Sequence, residues 1–203
     1  MPPAQPPGDA TGTGLRQRKR AKVRKEIQDN ALRLFREHGY EATTVQQVAE
    51  AAVISESTLY RYFPTKADIV MSDDLDPMFV EVFRAQPAEL GAVPAIRTSL
   101  TTVLGTLSEE DTARQRELLA LILSVPDLRA SMLDQLAGGI QLLADELGLR
   151  TGRPADDPAV RALAGAIIGA AIAVMFTVAT DPAADLITML DEAIGALSDA
   201  LNL

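Results

Sequence analysis

Residues 43–66 read Thr-Thr-Val-Gln-Gln-Val-Ala-Glu-Ala-Ala-Val-Ile-Ser-Glu-Ser-Thr-Leu-Tyr-Arg-Tyr-Phe-Pro-Thr-Lys. Thr44 and Gln47 have the spacing of a capping box, which predicts the start of one helix. Ser55 is the predicted N-cap of a second helix, which ends at Phe63 because the residue before a proline disfavours helical geometry. Two short helices joined by a tight turn form a helix-turn-helix, a shape that places a helix in the major groove of DNA.

Another helix precedes this motif. Ile27, Ala31, Leu34 and Phe35 recur at helical spacing, and Gly39 is expected to end the helix as its C′ residue. The expected core partners are Val48, Ile54, Leu59 and Phe63. The polar, outward-facing side chains can hydrogen-bond to phosphates or base edges. This predicted DNA-binding set is Thr44, Gln46, Ser55, Ser57, Thr58, Tyr60, Arg61, Tyr62 and Lys66.

The net charge of −9 is unevenly distributed along the 203 residues. Residues 1–66 carry 11 Lys and Arg against 7 Asp and Glu, whereas residues 67–203 carry 8 against 21. A basic segment that coincides with a helix-turn-helix indicates a nucleic-acid-binding end.

The basic charge is concentrated between Arg16 and Lys25, where seven of ten residues are cationic. Residues 2–14 are rich in Pro, Gly, Thr and Ala, so we expect residues 1–20 to form a disordered basic arm. Such an arm can follow phosphates or enter a minor groove. A solvated charge run that aids solubility is the alternative.

The composition limits the chemistry. The chain has no cysteine, which excludes disulfides and thiolate metal sites, and His38 is its single histidine. We therefore expect no catalytic residue, no metal site and no cofactor. No apolar secretory signal opens the sequence, so a cytoplasmic protein is expected.

Beyond residue 66 the apolar pattern is helical, and no stretch alternates with a period of two. The expected helices span 66–84, 94–107, 110–124, 127–147, 157–180 and 183–201, with Pro77 kinking or splitting the first. The acidic run 109–111 is interpreted as a helix N-terminus capped by Ser108 rather than a catalytic carboxylate pair. The predicted fold is all-α.

Residues 162–180 carry no charge over 19 positions, and Gly165 and Gly169 have a GxxxG spacing. The length could span a bilayer. Ala and Gly dominate the run and acidic residues flank it, which favours a buried or dimer-interface helix instead. In the last helix, Leu186, Leu190, Ile194 and Leu197 form an apolar stripe that fits a four-helix dimer bundle.

The segments 31–40, 43–49 and 57–66 together resemble the tetracycline-repressor (TetR) family. The resemblance implies a three-helix DNA-binding domain at 21–81, then a helical effector-binding and dimerisation domain at 82–203. It implies that Thr44 and Gln46 touch backbone or bases, that Ser57, Thr58, Tyr60 and Arg61 read the groove, and that Tyr62 and Lys66 anchor phosphates. Val53 departs from the family, which commonly has Gly in this turn.

The resemblance also implies a homodimer formed by the last two helices and a cavity for a small hydrophobic effector. Candidate lining residues are Met78, Phe79, Phe83, Leu118, Leu121, Ile122, Met132, Met175 and Phe176, although Met and Phe at helical spacing also serve as ordinary core. Segments 126–129 and 150–153 look similar to those of members that bind acyl-CoA or other hydrophobic effectors.

The favoured function is a ligand-responsive repressor that binds a palindromic operator as a homodimer and is released by its effector. A transcriptional activator or an effector-independent regulator of the same fold is the alternative. An enzyme is disfavoured because the sequence has no nucleophile elbow, phosphate loop or metal-ligand cluster. A membrane-bound sensor is a third class.

Overall fold

The computed structural model describes residues 10–72, 75–181 and 183–201, which contain ten helices and no strand. The prediction of an all-α fold is confirmed. The helices are α1 Ala10–His38, α2 Val45–Ala51, α3 Glu56–Tyr62, α4 Lys66–Met71, α5 Leu75–Arg84, α6 Ala92–Leu104, α7 Glu109–Ser124, α8 Pro126–Thr151, α9 Pro158–Thr180 and α10 Leu186–Leu201. The chain divides after Ser72 into two compact units, whereas the sequence predicts a boundary after residue 81.

The first unit is a three-helix core with α4 attached. Helix α1 packs against α2 and α4, and α2 packs against α3. Ile27, Val48, Leu59 and Phe63 are completely buried, as the apolar spacing predicts, whereas Ile54 is half-buried.

The loop between α1 and α2 is held by two local contacts. Gly39 has φ +84, and its N–H donates to the Phe35 carbonyl at 2.9 Å, so it ends α1 as predicted. The buried Thr43 hydroxyl donates to the Gly39 carbonyl at 2.8 Å and to the Leu34 carbonyl at 3.3 Å. These bonds fix the approach of the chain to α2.

Helix α1 begins earlier than predicted. The sequence predicts a disordered arm over residues 1–20, but residues 10–20 lie in α1. Residues 1–9 lie outside the described residues. Arg, Lys and Ala are good helix formers. The basic run therefore extends α1 toward the N-terminus from the part of the helix whose buried residues pack in the core. The basic run 16–25 therefore lies within helix α1.

Val53 is the one residue other than glycine with a positive φ, +56, among those that the structure describes. Its N–H donates to the Glu50 carbonyl at 3.1 Å, and the Ile54 N–H donates to the Ala49 carbonyl at 3.0 Å. This is the Schellman pattern that ends a helix, with valine at the position that glycine prefers. The turn keeps left-handed geometry despite the β-branched side chain, which is 89% exposed.

Val53→Gly is expected to stabilise the first unit. A β-branched residue at positive φ is strained by about 1–3 kcal/mol, and glycine removes the strain at an entropic cost of about 0.5–1 kcal/mol. We expect the midpoint of thermal unfolding to rise by about 2–4 °C. Val53→Ala, which keeps a Cβ, should recover less of this gain. An unchanged or lower midpoint for Val53→Gly would refute the strain.

The predicted helix 66–84 is split in two. Thr65 and Asp68 form a capping box that starts α4, which the sequence reasoning missed, and Ser72 has extended geometry after Met71. Pro77 lies in the first turn of α5, where a missing N–H breaks no helical hydrogen bond. The break therefore precedes the proline. The buried Gln28 amide donates to the carbonyls of Ile69 and Ser72 at 3.0 and 2.7 Å and holds the end of α4 to α1.

The second unit is a bundle in which α9 packs against α7, α8 and α10, and α6 packs against α5 and α10. Its main core cluster consists of Phe83, Ala95, Ile96, Leu143, Ala144, Leu147, Val160, Ala164, Ile167 and Ile194. Ser108 caps α7 as predicted. Helix α8 runs past the expected end at 147 to Thr151 and ends at Gly152, whose φ is +70. Gly148 lets the chain after this end approach closely, since a Cβ there would lie 2.8 Å from the Arg153 carbonyl oxygen.

Among the described residues of this unit, bidentate ion pairs join α5 to α8 and α6 to α10. The Arg84 guanidinium donates to both carboxylate oxygens of the buried Glu146 at 2.8 and 2.6 Å, which joins α5 to α8. Arg97 donates to both oxygens of Asp191 at 2.8 and 2.6 Å, which joins α6 to α10. The hydrogen bond from Arg97 is the main reason that the pKa of Asp191 is lowered.

The Asp191 pair is expected to make stability depend on acidity. A carboxyl whose pKa is lowered by folding stabilises above its unfolded pKa, about 3.9, and this contribution is lost as the pH falls through the lower folded value. The unfolding midpoint of Asp191→Asn should therefore lie below that of the wild type at pH 6, and the two should converge as the pH falls below about 4. A difference that stays constant from pH 6 to pH 3 would contradict this.

Helix α9 has two unlike faces. Val160, Ala164, Ile167, Val174 and Val178 are buried within the chain. The opposite stripe is exposed but carries no charge, and its members are Ala162, Gly169, Ala173, Phe176 and Thr180. Helix α9 is long and apolar enough to cross a membrane, a property that it shares with core helices of soluble proteins. Of its most apolar stretch of 18 residues, 22% is buried within the chain.

The apolar stripe of α10 is partly buried within the chain. Leu190 and Ile194, expected to face a dimer partner, are buried against clusters of their own chain. The exposed positions of α10 include Thr188, Glu192 and Asp199. Packing on α6 and α9 therefore uses part of this stripe, while Leu186 and Leu197 stay half-buried.

Candidate nucleic-acid interface

Helix α3 presents one exposed face. Glu56, Ser57, Tyr60 and Arg61 are exposed, whereas Leu59 on the other side is completely buried. Tyr60 is 46% exposed, an unusual position for a large aromatic residue without a partner surface. The buried side fixes the helix to the first unit and leaves the exposed side to contact another molecule.

Three hydroxyl groups gather where α3 begins. The Ser55 hydroxyl caps the helix by accepting from the Thr58 N–H at 3.2 Å. It also lies 3.0 Å from the Ser57 hydroxyl and 2.9 Å from the Thr58 hydroxyl. Each hydroxyl can both donate and accept, so the cluster can adapt to bases or phosphates.

The start of α2 adds further exposed polar side chains. Thr44 forms the predicted capping box with Gln47, whose side-chain oxygen accepts from the Thr44 N–H at 2.8 Å. The Gln46 amide donates to a Glu50 carboxylate oxygen at 3.0 Å. Thr44 is thus fixed by the cap, while Gln46 is held by a single exposed bond that another partner can replace.

The end of α3 contacts the basic part of α1. The Arg20 and Arg61 guanidinium groups each lie 5.8 Å from the centre of the half-buried Tyr62 ring. Arg24 donates to the Tyr62 carbonyl at 3.4 Å and lies 4.7 Å from the centre of the Phe63 ring. These contacts between α1 and α3 cannot be inferred from local sequence patterns.

Lys66 has a structural contact besides its predicted role. Its Nζ donates to the carbonyls of Tyr40 and Thr43 at 2.7 and 3.0 Å and lies 4.1 Å from the centre of the Tyr40 ring. An ammonium group has three N–H donors, so the third can donate to a phosphate oxygen. Lys66 joins the start of α4 to the loop before α2.

The nine predicted DNA-binding residues lie on α2 and α3, at the N-caps of these two helices, and at Lys66, the first residue of α4. Together they offer hydroxyls, an amide and cations, which suit phosphates and base edges. Glu56 shares the exposed face of α3 and was not predicted; a carboxylate there can accept from the amino group of cytosine. The signal available in the sequence was the place of Glu56 in the first turn of the helix that Ser55 is predicted to cap.

The predicted effector residues are spread over four helices. Phe79 and Phe83 stack on α5 with ring centres 5.6 Å apart, and Phe83 is buried. Leu118 and Ile122 are buried on α7, while Leu121 and Met132 are half-buried. Met78, Met175 and Phe176 are exposed. Phe79 and Phe83 thus belong to one cluster, whereas Met175 and Phe176 lie at the surface of α9.

Both parts of the chain match known families. The model described as bacterial regulatory proteins of the tetR family matches residues 27–71, and the model described as the MftR C-terminal domain matches residues 90–202. The first match covers the helix-turn-helix, and the second covers most of the second unit.

Individual proteins agree with these matches. The HTH-type transcriptional regulator TcmR of Streptomyces glaucescens is 31% identical over 72% of this chain and 68% of its own length. MftR of Mycobacterium tuberculosis, assigned to the regulation of mycofactocin biosynthesis, is 28% identical over 91% of this chain and 92% of its own. The repressor FadR of Thermus thermophilus, solved with lauroyl-CoA, is 26% identical with a TM-score of 0.54 over 86% of this chain and 92% of its own.

Proposed function

This chain is a DNA-binding transcriptional regulator that belongs to the TetR family, and we propose that it is a repressor that binds a palindromic operator as a homodimer and leaves it on binding a small hydrophobic effector. Its relatives are regulators rather than enzymes. We assign DNA binding to residues 21–81 and effector binding and dimerisation to residues 82–203. Such a protein acts on the chromosome in the cytoplasm.

The exposed face of α3 is the observation that carries the proposal. Ser57, Tyr60 and Arg61 lie on this face, and Leu59 fixes it from behind. In a helix-turn-helix the second helix enters the major groove with its first residues against base edges. We therefore assign base reading to α3, with Thr44, Gln46, Tyr62 and Lys66 positioning the backbone.

The uncharged stripe of α9 supports a homodimer. An exposed stripe that includes Ala173 and Phe176 is costly in water, and its small residues let a second helix approach closely. A twofold axis would pair the stripe with itself, since a symmetric interface uses the same surface twice. It would also present two copies of α3 to an inverted repeat, as one seven-residue helix reads few bases.

A small hydrophobic effector is the proposed signal. FadR of Thermus thermophilus binds lauroyl-CoA, and the second unit here has apolar side chains on α5, α7 and α8, including Phe79, Leu121 and Met132, that are only partly buried. An effector that binds more tightly to one conformer shifts the population toward it. Its coupling to DNA binding equals that difference in affinity.

An activator or an effector-independent regulator remains the alternative within the same fold. A reporter gene placed under the operator separates them. A repressor lowers expression when the protein is present and an effector restores it. Expression that rises with the protein would identify an activator.

Selection of bound fragments from random DNA tests the proposal directly. We expect an inverted repeat whose half-sites are separated by about one helical turn, about 10 base pairs between centres. Protein with Tyr60→Ala and Thr58→Ala together is the matched control and should enrich no such repeat. Recovery of no sequence, or of a single unrepeated site, would overturn the dimeric operator model.

A further inference from the structure

We propose that Glu56 makes the protein selective for cytosine: its carboxylate accepts a hydrogen bond from the exocyclic amino group of one cytosine in each half-site and disfavours the other three bases there. This inference rests on the proposed operator binding and deepens it by naming a base that α3 selects. Glu56 is the first residue of α3 and is exposed on the same face as Tyr60, one helical turn later.

The carboxylate of Glu56 is available to a partner outside the chain. Helices α2, α3 and α4 carry three carboxylates, of which two are engaged locally. Glu50 accepts from the Gln46 amide at 3.0 Å, and Asp68 accepts from the Thr65 N–H at 2.8 Å. The Glu56 carboxylate has no hydrogen bond or ion pair with any residue that the structure describes. Contacts within the chain therefore do not account for a carboxylate at this position.

The neighbouring hydroxyls cannot supply the same selectivity. Ser55 lies 3.0 Å from the Ser57 hydroxyl and 2.9 Å from the Thr58 hydroxyl, so these groups are already linked to one another. A hydroxyl can also both donate and accept, which lets it adapt to several bases. An ionised carboxylate only accepts. Glu56 is therefore the group at the start of α3 that demands a donor from the DNA.

Of the four bases, cytosine meets this demand best. In the major groove cytosine presents an amino donor, whereas guanine presents two acceptors and thymine presents an acceptor and a methyl group. Adenine presents a donor beside an acceptor, which an amide matches and a carboxylate does not. The residues at the beginning of a recognition helix are those that contact base edges. A carboxylate at the first residue of α3 thus favours a C·G pair.

The charge of Glu56 adds a penalty wherever cytosine is absent. DNA phosphates repel a carboxylate, and the repulsion is present on every sequence. Only a donor on a base offsets it, and a hydrogen bond to a charged group is stronger than one between neutral groups. Glu56 therefore lowers affinity for DNA in general and restores it at the operator, which increases the ratio of specific to non-specific binding.

Removal of the amino group from the DNA tests this assignment. Each cytosine of the operator selected by the wild type is replaced singly by a pyrimidinone nucleotide that lacks the amino group, and affinity is measured for the wild type and for Glu56→Ala. In the wild type, one cytosine per half-site should cost about tenfold. In Glu56→Ala that cost should fall below about twofold. The weakened base pair is common to both proteins and cancels in the comparison.

Selection from random DNA with Glu56→Gln provides an independent measurement. An amide can donate as well as accept, so it pairs with adenine at its two major-groove groups. The cytosine at one position per half-site should give way to adenine, while the other selected positions stay as in the wild type. In addition, Glu56→Ala should bind unrelated DNA about twofold or more tightly than the wild type at the same salt concentration, because the repulsion is gone.

Glu37→Ala is the matched control. Glu37 is an exposed carboxylate of the same unit, but it lies on α1 and pairs with Arg33 at 3.2 Å. Its variant loses the same charge and should keep the full cost of the pyrimidinone substitution. Loss of the cytosine preference in Glu37→Ala would show that net charge, and not Glu56, sets the preference.

The outcomes separate this inference from the proposed function. If the wild type binds an operator but Glu56→Gln selects the same bases, Glu56 acts only on the dipole of α3, and the cytosine assignment is wrong while operator binding stands. If the position that changes carries a base other than cytosine in the wild-type operator, the assignment is also wrong. If the wild type selects no operator at all, the proposed function itself fails.

Discussion

Replacing Phe176 with glutamate is expected to convert the protein to a monomer that has lost tight operator binding. Phe176 lies on the exposed stripe of α9 and is 46% exposed in the single chain. In a twofold interface the substitution places two carboxylates against an apolar surface, where neither is solvated nor paired. The dimer dissociation constant should rise by about 100-fold or more, as expected for an interface hot spot.

Sedimentation equilibrium and operator affinity measure this effect together. The control is Leu149→Glu, which introduces the same charge at a surface leucine of α8 that is 72% exposed. The control should stay dimeric and bind the operator normally. A Phe176→Glu protein that is folded and dimeric would rule out α9 as the interface.

Tyr60→Ala is expected to weaken operator binding about tenfold to 100-fold while leaving the dimer and the fold intact. Tyr60 is exposed on α3, so loss of its ring removes little packing. Two copies would act in the proposed dimer. Individual base contacts contribute about 1–3 kcal/mol. Thr58→Ala should also weaken binding, because the Thr58 hydroxyl belongs to the cluster at the start of α3.

The affinity comparison is made at fixed salt, since phosphate contacts change binding steeply with ionic strength. Tyr60→Phe separates the hydroxyl from the ring. Arg33→Gln is the control, because Arg33 is an exposed cation that pairs with Glu37 within α1. Wild-type affinity in both Tyr60→Ala and Thr58→Ala would refute the assignment of α3 as the reading helix.

The helix ends that were predicted correctly depend on local chemistry. Thr44 with Gln47, Ser55 and Ser108 cap the helices that the sequence predicts they cap. Pro126 and Pro158 stand at the first positions of α8 and α9, where proline removes no helical hydrogen bond. A few neighbouring residues decide such ends, so one sequence suffices to find them.

The predictions that failed depend on residues distant in sequence. The split between α4 and α5 accompanies the bonds from Gln28 to Ile69 and Ser72, 41 and 44 residues away. The stripe of α10 is apolar in the sequence, but only the packing on α6 and α9 reveals that Leu190 and Ile194 are already buried. Periodicity identifies an apolar face and cannot say which surface covers it.

Local sequence patterns predicted only part of the candidate site, because the rest depends on contacts between distant segments. The exposed face of α3 follows from helical spacing and a buried Leu59. The bonds from Lys66 to Tyr40 and Thr43, and the packing of Arg20 and Arg24 on the end of α3, join segments 23 to 42 residues apart and needed the fold. Val53 was recognised as irregular from sequence, and its positive φ came from the structure.

We propose that two copies of α3, held by a symmetric dimer, read an inverted repeat together. The most direct test measures affinity for the selected operator before and after five base pairs are inserted between its half-sites. Half a helical turn moves one half-site to the opposite face of the DNA. We predict that affinity falls to that of a single half-site, and equal affinity for both DNAs would contradict the account.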